Sequence, residues 1–212
     1  MLDELQKDYQ ERGQLIQARL KEFRAIRDAG DEAAVFKELC FCILAANSSA
    51  EMGLRSLEAI DDILLHGSLE ALQSRLSRGF RYWRIRPAYI IHTREYLRSR
   101  HDFGLLKALR SLPGHHVRRD FLALDKNIKG IGLKEASHFL RNIGFKGYAI
   151  LDKHILRSLA EFGVIGLPRK PLNRPRYLRV EGKMARFSEE TGIGMDALDL
   201  LLWSRKTGKI IK

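Results

Sequence analysis

A chain of 212 residues with 45 % apolar side chains is long enough for a sizeable core and too apolar for general disorder. No apolar run approaches the roughly eighteen residues of a membrane span, and the charged start, MLDELQKDYQERGQ, does not read as a secretory leader. The formal net charge of +12 selects a polyanionic partner, nucleic acid before membrane because no lipid-anchoring motif is present, and a cytoplasmic, DNA-associated monomer is expected.

Leu2 to about Ile26 has helical spacing, with Leu15, Ile16, Leu20 and Phe23 as a thin apolar stripe. Asp28, Gly30 and Asp31 interrupt it, and Asp31 is an N-cap candidate. Residues 32–46 are apolar nearly all round, from Val35 and Phe36 through Leu39 to Ile43 and Leu44, the pattern of a central buried helix. Cys40 and Cys42 lie on it about 200° apart, so they cannot share one metal or pair readily, and they read as core thiols. No further cysteine exists to complete a four-thiolate cluster. After Asn47, Ser48 to Glu51 reads as a capping box opening the next helix. Helices are expected over 50–64 and 69–78.

Residues 79–86, GFRYWRIR, interleave three aromatics with three arginines, a composition suited to base stacking and phosphate contact. The alternative is an aromatic core pair with solvated arginines. Pro87 starts a further helix, Pro113-Gly114 makes a turn, and 115–126 is helical. Next, Asn127 to Gly132 carries Ile128, Gly130, Ile131 and Gly132, a turn where backbone must come close to something and φ can be positive. Such a turn before a helix is an anion trap. Lys134 stands in the first turn of that helix. Ala136, Phe139, Leu140 and Ile143 form its buried stripe, while Lys134, His138 and Arg141 fall on a different face. Gly144 stops it. Asp152 caps a helix over 153–162. A basic, proline-rich connector covers 166–176, and helices follow over 177–191 and 195–206. On the last, Leu198, Leu201 and Leu202 face one way and Asp196, Asp199 and Trp203 the other, with an indole and carboxylates fit for a base pocket. No strand-like alternation persists.

NIKGIGLKEASHFLRNIG followed by AILDKHILR resembles the helix-hairpin-helix DNA glycosylase/lyase superfamily. More narrowly it is similar to the second class of 8-oxoguanine DNA glycosylases, found mainly in archaea and thermophilic bacteria. FKELCFCILAAN and WSRKTGKIIK extend the likeness over nearly the whole chain. The resemblance implies an all-α fold of two helical subdomains with a DNA-binding cleft between them: a barrel over 30–145 ending in the hairpin, and a second subdomain from 1–29 and 146–212. It implies that Lys134 is the nucleophile and Asp152 its assistant. Gly130 and Gly132 would hold a DNA phosphate, with His138 and Arg141 beside them. Asn47 matches the residue pushed into the duplex where a nucleotide is flipped out. Tyr82, ahead of Trp83, would cover one face of the damaged base, with Trp203 and Asp199 on the pocket wall. The terminal Lys212 matches a lysine that closes over the pocket. No metal or cofactor is expected; the partner is double-stranded DNA with an oxidised base. Excision of 8-oxoguanine with β-elimination is the leading expectation. The alternatives are the same fold acting on another oxidised base, and a non-enzymatic DNA-binding module.

Overall fold

A computed structural model describes residues 2–211, and all regular structure among them is helical. In chain order the helices are α1 Leu2–Ala29, α2 Glu32–Ala45, α3 Ala50–Glu58, α4 Leu69–Leu76, α5 Arg86–His101, α6 Leu105–Ser111, α7 His115–Leu124, α8 Leu133–Asn142, α9 Lys153–Glu161, α10 Arg174–Thr191 and α11 Met195–Thr207. A 3-10 turn at Asp61–Ile63 follows α3. No described helix is long and apolar enough to cross a membrane.

The helix starts follow side-chain capping. Asp31 accepts from the N–H groups of Ala33 and Ala34 and opens α2. The cap of α3 is Ser49, which accepts from Met52 N–H at 3.1 Å, one residue later than the Ser48 capping box expected from the sequence. The helix expected over 50–64 stops at Glu58, and the chain regains a helical turn only at Asp61. α6 carries no capping signal, so the sequence does not announce it; it follows Asp102 and Phe103, both at positive φ. α10 starts earlier than the periodicity suggests, because Asn173 caps it through Arg176 N–H.

The chain divides into two compact units. One is Ile26–Phe139; the other joins the residues up to Ala25 with those from Leu140 onward. In the first, α2 is the centre. Val35, Phe36, Leu39, Cys40, Phe41, Ile43 and Leu44 are fully buried, and α2 packs against α3, α5 and α6. Both cysteines are buried thiols outside any disulfide, and burial pushes the Cys40 thiol well above its ordinary range. Buried Arg94 donates to the carbonyls of Leu64 and Gly67, 3.0 Å each, and so closes the turn before α4.

In the second unit α9 and α10 pack on α11. Leu198, Leu201 and Leu202 are fully buried there with Leu159 and Met184. From α1 this core takes Leu5, Ile16 and Phe23, whereas Leu15, expected in the stripe, is 65 % exposed. The C-terminal stop of α8 is Gly144, at φ +81. A Cβ there would lie 2.8 Å from Arg24 Cα and 2.9 Å from Phe23 O, so only glycine lets α1 pass this closely.

Candidate functional site

The hairpin turn is built from Asp125 outward. One carboxylate oxygen accepts from Asn127 N–H at 2.8 Å, and the other from Tyr96 Oη at 2.7 Å. Burial, with this same contact, pushes the Tyr96 phenol up to about 12. Lys129 N–H donates to Thr93 Oγ1 at 3.1 Å. Ile128 and Ile131 are buried anchors on either side of Gly130. Gly130 has φ +77, and a Cβ on it would meet Tyr89 Cδ2 at 2.7 Å and Arg86 Nη1 at 2.9 Å. Conformation and space both demand glycine here.

Gly132 behaves differently. Its φ is ordinary, and a Cβ would touch only the flexible end of Glu135, at 3.2 Å. Its N–H donates to Glu135 Oε2 at 3.3 Å, the reach-back half of a capping box. So the two glycines do not present equivalent donors. The N–H groups of Gly130 and Ile131 meet no acceptor among the described residues, while that of Gly132 is engaged.

Lys134 follows in the first turn of α8. Its ammonium pairs with Glu135 Oε1 at 2.9 Å, and its side chain is 31 % exposed. Glu135 thereby holds both the start of α8 and the amine. The apolar stripe lies where the spacing places it: Ala136, Phe139, Leu140 and Ile143 are fully buried.

The polar face of α8 requires correction. His138 is half-buried and stands edge-on to Phe41, ring centroids 5.6 Å apart. Arg141 is 3 % exposed; it lies over the Phe23 ring, donates to Asn142 Oδ1 at 3.0 Å and sits 3.4 Å from Asp199 Oδ2. Arg141 is therefore not a surface group offered to a backbone phosphate. The helical wheel gives a direction, and α11 occupies the direction of Arg141.

Asp152 caps α9. Its Oδ1 accepts from His154 N–H at 2.7 Å and Ile155 N–H at 2.8 Å. Oδ2 carries no hydrogen bond among the described residues, so one oxygen fixes the carboxylate and the other remains available. The irregular stretch leading to it is held by side chains of α10 and α11. Asp196 accepts from Gly147 N–H at 3.0 Å, Glu181 from Ala149 N–H at 3.1 Å and Asp199 from Ile150 N–H at 3.3 Å. Tyr177 Oη donates to Ala149 O at 2.6 Å and accepts from Leu151 N–H at 3.4 Å. Every one of these protein groups is needed, because this backbone is buried and has no helix or sheet partner. Asp199 is therefore a scaffold for the approach to Asp152, and the expected place on a base-pocket wall does not fit it. Burial, with the charges of Asp152 and Asp196, raises its carboxyl to about 7 against the opposing pull of Arg141. Trp203, further along α11, is half-buried; Lys212 lies outside the described residues.

Asn47 and Tyr82 do come together. Asn47 is exposed, has φ +55, and its carbonyl oxygen accepts from Tyr82 Oη at 3.4 Å. Both line a cavity of about 740 Å³ that also includes Gly130 and Gly132. Arg86, Tyr89 and His92 line it too; Arg86 belongs to the run of aromatics and arginines suited to phosphate contact, whereas Tyr89 and His92 do not stand out as site residues in the sequence. The three recur at i, i+3 and i+6 on α5, a stripe flanking the buried Ile90 and Leu97 face, and that spacing is the available signal. Arg86 is the tie. Buried at 8 % exposure, it donates to Ala46 O at 3.3 Å and Gly130 O at 3.5 Å and lies over the rings of Tyr82 and Tyr89. It joins the end of α2, the start of α5 and the hairpin.

Residues 16–193 match the sequence profile of the Ogg-HhH family, described as 8-oxoguanine DNA glycosylase. This chain belongs to the 8-oxoguanine DNA glycosylase family. It is 42 % identical over 200 residues, covering 94 % of its length and 91 % of the relative's, to an 8-oxoguanine DNA glycosylase/AP lyase of Korarchaeum cryptofilum. The crystal structure of the Methanocaldococcus jannaschii 8-oxoguanine DNA glycosylase superposes with a TM-score of 0.89 at 37 % identity, covering 100 % of this chain and 95 % of that one. The same enzyme in complex with a 15mer DNA containing 8-oxoguanine matches with a TM-score of 0.87 at 37 % identity, over 97 % of this chain and 98 % of that one. Family membership and the all-helical fold thus agree with the resemblance carried by the hairpin residues.

Proposed function

We propose that this chain is a base-excision-repair DNA glycosylase with AP lyase activity that removes 8-oxoguanine from duplex DNA. The observation that carries this reading is Lys134: a partly exposed amine in the first turn of the helix that the hairpin opens, in a chain of this family. Phosphate binding alone needs only the turn, so a non-enzymatic module leaves the lysine unexplained. The Gly130 and Ile131 N–H groups are the donors for a backbone phosphate.

The target nucleotide must leave the stack before any group can reach its sugar. Lys134 Nζ, once its ammonium proton has passed to solvent, bonds to C1′ while the bond from C1′ to the base breaks and the base departs with the electron pair. Asp152 stabilises the positive charge that develops at C1′ through its available oxygen. Loss of the amine proton and opening of the sugar give an imine between Lys134 and C1′. Removal of a C2′ proton then expels the 3′ phosphate, cutting the strand, and water releases the lysine. Tyr82 and Asn47, in the cavity beside the hairpin, serve the flipped base and the vacated stack, and Trp203 serves the base from α11.

The test is strand cleavage on a panel of end-labelled duplexes containing 8-oxoguanine, guanine, an oxidised pyrimidine or an abasic site. Cleavage at 8-oxoguanine and at the abasic site, with guanine untouched, is the expected result. Preference for the oxidised pyrimidine would keep the chemistry and replace the substrate, and no cleavage of any duplex would reject the enzyme.

A further inference from the structure

Some surface cations in this protein are paired, among them Lys37 with Asp61 and Lys206 with Glu161 at 2.6 Å and Arg205 with Asp8 at 3.2 Å. One group is not. After α9, the connector and the first two turns of α10 enclose a cavity of about 400 Å³, lined by Arg169, Lys170, Arg176 and Arg179 together with Pro168 and Leu172. All four cations are exposed, and none has a side-chain partner among the described residues. No acidic side chain lines the cavity. Arg176 and Arg179 are three apart on α10 and share a face. Pro168, Pro171 and Pro175 restrict the backbone that carries these cations.

Four unpaired like charges around one concavity repel one another and favour a polyanion over any single small counter-charge. Guanidinium groups match phosphate oxygens in geometry as well as charge. We propose that this cavity is a second DNA-contacting surface that grips sugar-phosphate backbone, distinct from the hairpin turn. It rests on the reading of the chain as a DNA-binding enzyme. It contributes affinity without reading the lesion, since phosphate contacts carry no sequence information.

The experiment is duplex binding across a salt series for the wild type, Arg176→Gln/Arg179→Gln, Arg169→Gln/Lys170→Gln, and a control, Lys7→Gln/Arg186→Gln, that removes the same charge from exposed positions elsewhere. For every phosphate no longer neutralised, the slope of log K against log salt becomes shallower by about 0.9. Both test variants should show slopes shallower than wild type by about 1–2, and equal fractional reductions in affinity for undamaged and 8-oxoguanine duplexes. Their single-turnover cleavage rates at saturating enzyme should equal the wild type, and the control slope should change by less. Slopes for both test variants equal to the control would overturn the proposal while leaving the enzyme assignment intact. A wild type that binds no duplex would overturn both.

Discussion

Asp199 Oδ2 lies 3.4 Å from Arg141 Nη1 inside the core, and its other oxygen accepts from the N–H of Ile150, two residues before Asp152. With its carboxyl raised to about 7, the folded state holds a proton that the unfolded chain, at about 3.9, releases. Between about pH 4 and 7 the native state therefore binds more protons, so this group's contribution to stability falls as pH rises through that window and levels off above it. Asp199→Asn removes the titration and keeps an acceptor for Ile150. The wild-type melting temperature should exceed that of the variant most at about pH 4–5, and the gap should shrink towards about pH 8. A gap that widens with pH would mean the pair is held as a fully charged salt bridge.

Gly130 and Gly132 should separate cleanly. Gly130→Ala forces a side chain into φ +77 against Tyr89 and Arg86, at about 1–3 kcal/mol of backbone strain before any steric cost. Denaturant unfolding should register that destabilisation, and affinity should drop alike for damaged and undamaged duplexes. Gly132→Ala should change both by less than about threefold. Equal damage from both substitutions would show that the turn is not anchored at Gly130.

Arg86 holds its charge and its hydrogen bonds for different purposes. Arg86→Lys keeps the charge but cannot reach Ala46 O and Gly130 O together. Stability should fall by roughly 1–3 kcal/mol, because a buried carbonyl loses its donor. Single-turnover cleavage should slow as the hairpin loosens. An unchanged melting curve with Lys at this position would reduce Arg86 to a solvated surface charge.

Trp203→Ala should cost on the order of 1–3 kcal/mol of stacking with the damaged base. Affinity should fall for the 8-oxoguanine duplex and much less for an abasic duplex, which has no base to stack. Equal reductions on the two would place the indole in the core packing of α11.

Local signals carry much of this site. The turn around Gly130 is legible because a short backbone motif must satisfy its own geometry. The N-caps Asp31 and Asp152 are legible because capping involves residues two and three positions away. The α8 stripe is legible because its period is that of the helix. What is not legible depends on residues distant in sequence. A polar side on a helical wheel does not say whether water or another helix lies there, so Arg141 reads as a surface cation until Asp199, on α11, stands opposite it. Arg86 closes the run of aromatics and arginines over 79–86 and is legible with it, whereas Tyr89 and His92, beyond that run, are readable only by their helical period. α6 has no local side-chain cap; Glu32, distant on α2, accepts from its Leu106 and Lys107 N–H groups, and two successive positive-φ residues precede it that composition does not announce.

Borohydride reduction traps only an imine, so it reports whether Lys134 is the nucleophile. Lys134→Gln retains length and polarity and lacks the amine. It should bind the 8-oxoguanine duplex yet give no covalent complex and no strand cleavage. Asp152→Asn keeps the cap of α9, since Asn caps about as well as Asp, and should give the complex roughly 10²–10⁴ times more slowly. A wild-type yield of trapped complex from Lys134→Gln would place the chemistry on another amine.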